Sequence, residues 1–252
     1  MTPALPSVFL APPLAHRGLH DRDQGVIENS RGAVAAAVDA GYGIEIDLQL
    51  AADGEAMVFH DDELMRLVGR PGPVAAHDAA ALGRMTLSGS DETIPTLAEI
   101  LDLVRGEVPL LVELKDQSRT LGPVDGRLER RAARLLAAYS GPIAVMSFNP
   151  ESVAILRDEA PSIPRGRVTC PFTEREWSGV ASARREALAR MDDLDVLKCG
   201  FISHLHTDLS GESITMAKST GRPVLCWTVR SGAEEAAARR FADNVTFEGY
   251  AA

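Results

Sequence analysis

The sequence has little that would staple it, anchor it or carry it through a membrane. Cysteine occurs only at Cys170, Cys199 and Cys226. An odd count with no CxxC pair excludes a disulfide framework and points to a reducing compartment. No apolar run approaches the ~18 residues of a membrane span, and the opening residues offer prolines where a signal peptide would have a basic region. Basic residues are short too: 26 against 36 acidic, for a formal net charge of −10. Arg127, Arg130, Arg131 and Arg134 read as one solvated helix face rather than a nucleic-acid patch. Any phosphate ligand would need a local cation against this acidic field. The expectation is a cytoplasmic chain with no nucleic-acid partner and no stable membrane anchor. Aromatic residues make up 5% of the sequence, so each is a candidate for a specific task.

What is present is a globular composition, with 45% apolar and 25% charged residues over 252 positions. That length suits one α/β barrel domain, taken here as residues 1–252. Short apolar runs alternate with helical periodicity, as in a parallel sheet with crossover helices. The strand-like runs are Leu14–His16, Gly43–Leu50, Ala56–His60, Leu110–Leu114, Ile143–Phe148, Gly166–Thr169, Gly200–His204, Val224–Val229 and Asn244–Phe247. Asn29 or Ser30 caps a helix that Gly41 ends, Thr96-Leu97-Ala98-Glu99 is a capping box, and Ser231 caps a last helix running to about Ala242. Further helices are expected around Leu128–Tyr139 and Glu174–Met191. No GxGxxG follows the first strand, which disfavours a dinucleotide-binding sheet. A (β/α)8 barrel of the TIM type fits best, with one of the nine runs accessory. The turn Ala51-Ala52-Asp53-Gly54 is too short for a parallel crossover. Leu48–Leu50 must therefore leave the wall and return as a hairpin. Residues 62–95, weakly periodic and rich in glycine, read as a small insertion after the third strand, over one rim.

Barrel enzymes place their chemistry at the C-terminal ends of strands. Those ends carry His16-Arg17-Gly18, Glu45 with Asp47, His60-Asp61, Glu113 with Lys115, and Ser147-Phe148-Asn149. Charges embedded in apolar strands are costly unless paired or bound to a cation. Glu45 and Asp47, two residues apart in a strand, point to the same face. With Glu113 they offer three oxygen ligands and no nearby cysteine, which suits one divalent cation, Mg²⁺ or Ca²⁺. The alternative is a carboxylate group satisfied by Arg17 or Lys115 alone. His16 and His60 are the candidate acid and base; either alone could equally be structural. Arg17 and Lys115 offer positive charge for a phosphate oxygen or for the carboxylates.

These residues resemble the glycerophosphodiester phosphodiesterase family. The match runs from His16-Arg17-Gly18 through Glu28-Asn29-Ser30, where the family usually has Glu-Asn-Thr, and Glu45-Ile46-Asp47 with the Asp53-Gly54 turn. It continues through His60-Asp61, Glu113-Leu114-Lys115, Ser147-Phe148 and Cys226-Trp227-Thr228-Val229. The resemblance implies a metal-dependent hydrolysis of glycerophosphodiesters to glycerol 3-phosphate and an alcohol. It makes His16 and His60 the essential histidines, Glu45, Asp47 and Glu113 the metal ligands, and Arg17 and Lys115 the phosphate contacts. In the mechanism it implies, the glycerol 2-hydroxyl attacks phosphorus, one histidine takes its proton, and the other protonates the leaving alcohol. Water then opens a cyclic phosphate. The sequence departs from the family at the end of the last strand, Val245-Thr246-Phe247-Glu248-Gly249-Tyr250, and at Arg230, where asparagine is usual. These departures are expected to bear on the alcohol group rather than on the chemistry.

Phe148 and Trp227 are expected to wall the substrate pocket, whereas Trp177 reads as helical core. His20 and His77 read as solvated. His204-Leu205-His206 could hold a second metal, as in amidohydrolase barrels, but the pair comes late in the chain. Cys226 reads as a buried apolar residue. Rival readings are a lysophospholipase D-type phosphodiesterase, a catalytically silent binding protein and an amidohydrolase. The acidic composition leaves a homodimer open.

Overall fold

The computed structural model describes residues 2–252. Its strands are β1 (Leu14–His16), β2 (Gly43–Leu50), β3 (Ala56–Val58), β4 (Leu110–Leu114), β5 (Ile143–Ser147), β6 (Arg165–Thr169), β7 (Phe201–Leu205), β8 (Val224–Val229) and β9 (Asn244–Phe247). Its helices are α1 (Arg31–Asp39), α2 (Met65–Val68), α3 (Ala79–Leu82), α4 (Leu97–Val104), α5 (Arg127–Leu136), α6 (Pro150–Glu159), α7 (Ser182–Arg190), α8 (Glu212–Ser219) and α9 (Gly232–Ala238). Eight parallel strands follow one another round a barrel as β1-β9-β8-β7-β6-β5-β4-β2, and β1 pairs with β2 to close it. The architecture is the (β/α)8 barrel expected from the sequence.

Alternation along the strands builds two apolar layers. Inward-facing Leu14, Leu111, Ala144, Met146, Val168, Phe201 and Leu225 fill the barrel. Outward-facing Ile44, Ile46, Val112, Val145, Ile202 and Val245 pack with Leu97, Ile100, Leu128 and Val153 of the surrounding helices. The segment before β1 closes the N-terminal end of the barrel. Phe9 is buried in the inner cluster, and the Asn244 side-chain amide donates to the carbonyls of Phe9 at 2.8 Å and Pro12 at 2.7 Å.

The hairpin is where the short turn placed it. The lower part of β2 lies between β1 and β4, whereas Leu48, Gln49 and Leu50 pair antiparallel with Val58, Met57 and Ala56. β3 is the accessory strand. It stops at Val58, so His60 follows a hairpin and does not end a wall strand as expected. Residues 62–95 carry α2 and α3 and bury Leu64, Leu67, Val74, Leu82, Leu87 and Ile94 against Ile27, Met57 and Phe59.

Several helices differ from expectation. α7 begins at Ser182, not near Glu174, because Ser178 and Gly179 interrupt the pattern. α9 stops at Ala238, short of Ala242. α6 was readable from an Asn-Pro start: the Asn149 side chain accepts from the Glu151 N–H, and Pro150 occupies the first turn, where it loses no hydrogen bond.

Gly166 is an inward position on β6 whose missing side chain makes room for a neighbour. A Cβ there would lie 2.4 Å from the Phe201 ring, which is itself fully buried. Gly166→Ala should therefore overpack the barrel and cost about 1–3 kcal/mol, read from urea unfolding; an unchanged midpoint would show that the ring can move aside.

Candidate active site

The β2 alternation sends Glu45 and Asp47 inward, and the β4 register sets Glu113 directly beside Asp47. All three carboxylates are buried, and one ligand atom from each lies within 4.8 Å of the others. Among the described residues, this is the one group of three or more metal-capable side chains drawn so close. Like charges at that range repel by roughly 3–4 kcal/mol per pair at the effective dielectric of a protein. Two share the Lys115 ammonium, whose Nζ is 2.7 Å from Asp47 Oδ1 and 2.7 Å from Glu113 Oε1. Burial alone would raise the Asp47 carboxyl, but Lys115, His60 and Arg17 outweigh it and hold it well below the usual range. Burial would likewise lower the Lys115 ammonium, and Asp47 and Glu113 keep it above its ordinary value. Glu45 has no such cation in contact. Its burial, then Asp47 and Glu113, push its carboxyl well above the usual range, and its Oε1 is buried with no hydrogen-bond partner.

The turn after β1 explains the His-Arg-Gly and Glu-Asn motifs. Arg17 and Gly18 both have positive φ, 58° and 79°, and a Cβ on Gly18 would lie 2.7 Å from the Ala33 backbone. This turn aims the Arg17 N–H at Glu45 Oε2, 3.1 Å away. Asn29, also left-handed, donates its backbone N–H to the Arg17 carbonyl at 2.8 Å. Its side chain grips Asp47 twice, donating to Oδ2 at 2.9 Å and accepting from the Asp47 N–H at 3.2 Å. The Arg17 guanidinium lies against Glu28 at 2.5 Å and Asp47 at 3.3 Å. Glu28 is gripped in turn by Arg66 from α2. Burial opposes ionisation of Glu28, yet Arg66 and Arg17 lower it to about 2.

His16 and His60 flank the carboxylates, each with Nδ1 against an acid: Glu248 Oε2 at 2.5 Å and Asp61 Oδ1 at 2.7 Å. Burial lowers the His16 imidazole to about 4, although Glu248 pulls the other way. Neither Glu248 nor Asp61 stands out in the sequence as a partner of these rings. Glu248 and Arg230 mark the departures expected to bear on the alcohol group. Arg230 is 2.7 Å from Glu248 Oε1, and Glu248 touches His16, so the two departures meet beside a candidate catalytic ring. His20 is not solvated: its buried Nε2 lies 3.6 Å from Glu248 Oε2.

Two joined cavities open over this cluster. An inner chamber of about 180 Å³ is lined by His16, Arg17, Glu45, Phe148, Trp227 and Thr246. An outer groove of about 600 Å³ is lined by Asp61, Asp62, Asp116, Arg119 and Trp177. His60, Glu113, Lys115 and Phe148 border both. Phe148 is the hinge of the aromatic wall, with ring centroids 5.1 Å from Trp177 and 5.5 Å from Trp227. Trp227 is fixed by donating Nε1–H to the Ser203 carbonyl at 3.1 Å. Trp177, expected in a helix core, lies in the turns before α7 and faces the groove, because the helix starts late. His204 is buried between Thr169 and Asp208 at 2.7 and 3.1 Å, while His206 starts a separate 3₁₀ turn. The three cysteines are buried, and Cys226 packs in the outer layer of the barrel.

The chain and its fold are similar to known proteins. The model of the glycerophosphoryl diester phosphodiesterase family matches residues 16–244. YhdW of Bacillus subtilis, named for a provisional glycerophosphodiester phosphodiesterase activity, is 28% identical over 227 residues, covering 86% of each chain. A phosphodiesterase of Oleispira antarctica, solved with its product sn-glycerol-3-phosphate, superposes with a TM-score of 0.73 at 24% identity, covering 95% of this chain and 93% of its own. A glycerophosphoryl diester phosphodiesterase homologue from Silicibacter pomeroyi superposes with a TM-score of 0.76 at 20% identity, over 94% of this chain and 89% of its own. With the family pattern spanning the barrel from its first strand to its last, the chain belongs to the glycerophosphoryl diester phosphodiesterase family of phosphoric diester hydrolases.

Proposed function

We propose that the chain hydrolyses glycerophosphodiesters to glycerol 3-phosphate and an alcohol, with His16 and His60 as base and acid beside a carboxylate-bound divalent cation. The observation that carries this reading is one chamber lined at once by His16, His60, Glu45, Glu113, Arg17 and Lys115. The product bound in the Oleispira antarctica relative supports the substrate class.

The donor set fits a hard cation. It is all oxygen, it is buried, and Glu45 offers an Oε1 with no other partner. Glu45, Asp47 and Glu113 would hold Mg²⁺ or Ca²⁺, with Asn29 fixing Asp47 from behind. A bound cation would polarise a phosphoryl oxygen and acidify the attacking hydroxyl. Arg17 and Lys115 neutralise phosphate charge in the chamber, which the net acidity of the chain otherwise disfavours.

The two histidines differ in position, which supports different roles for them. His16 borders the inner chamber alone and is neutral in the neutral range, so its ring accepts the proton of the glycerol 2-hydroxyl as the new P–O bond forms. His60 borders both cavities, so it stands where the alcohol departs towards the outer groove and gives that oxygen a proton as its P–O bond breaks. Water then opens the cyclic phosphate with the roles reversed. Phe148, Trp227 and the outer groove hold the alcohol portion.

The same reading takes residues 1–252 as one domain with the excursion at 62–95, and the chain as cytoplasmic. The free, buried thiols of Cys170, Cys199 and Cys226 accord with a reducing compartment.

Release of glycerol 3-phosphate from glycerophosphocholine, followed in a coupled assay with Mg²⁺, Ca²⁺ or excess chelator, tests the reaction and the cation together. Metal-dependent release is expected; no release with folded protein under any metal would sink the reading. His16→Ala should lower turnover by about 10²–10⁴-fold. Asn29→Ala should raise the metal concentration for half-maximal activity by about 10–100-fold, as loss of an orienting partner does, and Glu45→Gln should do so as well. An unchanged metal requirement would remove these residues from the metal site. Because the His16 base is lowered to about 4, kcat/KM should hold its value as pH falls through 6.5 and decline only nearer 4. An acid limb at 6.5 that saturating metal does not remove would assign the base elsewhere.

A further inference from the structure

We infer that Glu248, at the end of the barrel's last strand, is a positioning residue that locks His16 in the tautomer with Nε2 free to face the chamber. The inference rests on the reading of His16 as an acid–base residue and adds to it a partner that neither the family match nor the metal site requires.

Glu248 is held from four directions. Its backbone N–H donates to the Val229 carbonyl at 3.0 Å, which ties the chain beyond β9 to the end of β8. Its Oε2 meets His16 Nδ1 at 2.5 Å and lies 3.6 Å from His20 Nε2. Its Oε1 meets the Arg230 guanidinium at 2.7 Å. The side chain is 19% exposed, so these contacts are made largely out of water. Burial alone would favour the neutral acid, but the hydrogen bond with His16, the nearby His20 ring and the charge of Arg230 outweigh it and keep the carboxyl well below its ordinary value.

An ionised carboxylate only accepts hydrogen bonds. The hydrogen shared with His16 must therefore sit on Nδ1. A neutral imidazole with Nδ1–H has its lone pair on Nε2, the form a base needs. The same carboxylate stabilises the imidazolium that forms when His16 takes a proton, as the buried aspartate does in a Ser-His-Asp triad. Arg230 fixes the second oxygen, so Glu248 cannot swing away without breaking an ion pair. Since Glu248 makes no contact with the three carboxylates, its removal should slow the chemical step and leave substrate and metal binding nearly intact.

The test is steady-state kinetics on the metal-loaded enzyme for wild type, E248Q, E248A, H16A and the H16A/E248A double variant, with melting temperatures for each. E248A should lower kcat by about 10²-fold with little change in KM, and E248Q should fall between it and wild type. The double variant should be no slower than H16A, since Glu248 acts only through that ring. In ¹⁵N-resolved spectra of the imidazoles, His16 should carry its hydrogen on Nδ1 in wild type. A kcat for both E248Q and E248A within about two-fold of wild type would overturn the inference, as would losses that multiply in full in the double variant or an Nε2–H tautomer in wild type. H16A that keeps its turnover would instead overturn the reading of His16 itself. If E248A fails to fold, E248Q and the wild-type spectra still decide.

Discussion

Three carboxylates buried within 4.8 Å of one another are the constraint on which the rest of the site depends. Nothing in a hydrophobic barrel favours such a group, and its members repel in a medium that screens poorly. The surrounding sequence answers charge by charge. Lys115 takes one oxygen each from Asp47 and Glu113, Asn29 fixes Asp47 by two hydrogen bonds, and the left-handed turn at Arg17 and Gly18 brings a backbone N–H to Glu45. Glu45 keeps one oxygen unanswered, and a site with one unpaired buried acid and two paired ones is built to receive a further positive charge.

The compensation reaches beyond the barrel wall. Arg17 lies between Asp47 and Glu28, and Glu28 lies between Arg17 and Arg66. Arg66 belongs to α2, inside residues 62–95, and also grips Asp61 beside His60. The excursion over the rim is therefore electrically continuous with the carboxylate cluster, and its small apolar core sets the position of Arg66, three contacts from Asp47. Exposed pairs of this type contribute little to stability by themselves, since Arg66 is 42% exposed. Their effect is on placement: Glu28 is fixed from both sides, and Arg17 has one direction left in which to turn.

The barrel was legible because its strands alternate cleanly and because a four-residue turn permits only a hairpin. The carboxylates, His16 and Lys115 were legible because a charge inside an apolar strand has few uses. What was not legible depends on contacts between distant segments. The partnership of His16 with Glu248 spans 232 positions, and neither residue is unusual in its own surroundings. Arg165 and Arg167 break the strand pattern of β6 as plainly as Glu45 breaks that of β2, yet they serve the fold. Arg165 donates to the carbonyls of Pro161, Ile163 and Lys198, and Arg167 pairs with Asp193. A buried charge in a strand thus marks either a site or a cap, and only its inward or outward direction separates the two. Trp177 was misplaced for a more local reason. A helix was extended through Ser178-Gly179, where the backbone turns instead and leaves the indole facing the groove.

The two places where the sequence leaves the family pattern, Arg230 and the segment around Glu248, meet in space as an ion pair at the ends of adjacent strands. Taken singly, each reads as a change at the rim with consequences for the alcohol. Taken together, they form one device, because the oxygen that Arg230 does not hold is the oxygen that meets His16. A carboxylate in that place without a second partner would be free to rotate, and the hydrogen on His16 would lose its fixed acceptor. Arginine supplies that partner from a position 59% exposed, so its own desolvation is small while Glu248 remains mostly covered. The asymmetry between the two histidines follows from the same geometry. His60 has its acid next to it in sequence, on a loop open to the outer groove, whereas His16 is held from across the barrel seam by a strand that also closes the fold. The ring proposed as the base is thereby tied to the chain leaving β9, the strand that pairs with β1 in the closed barrel.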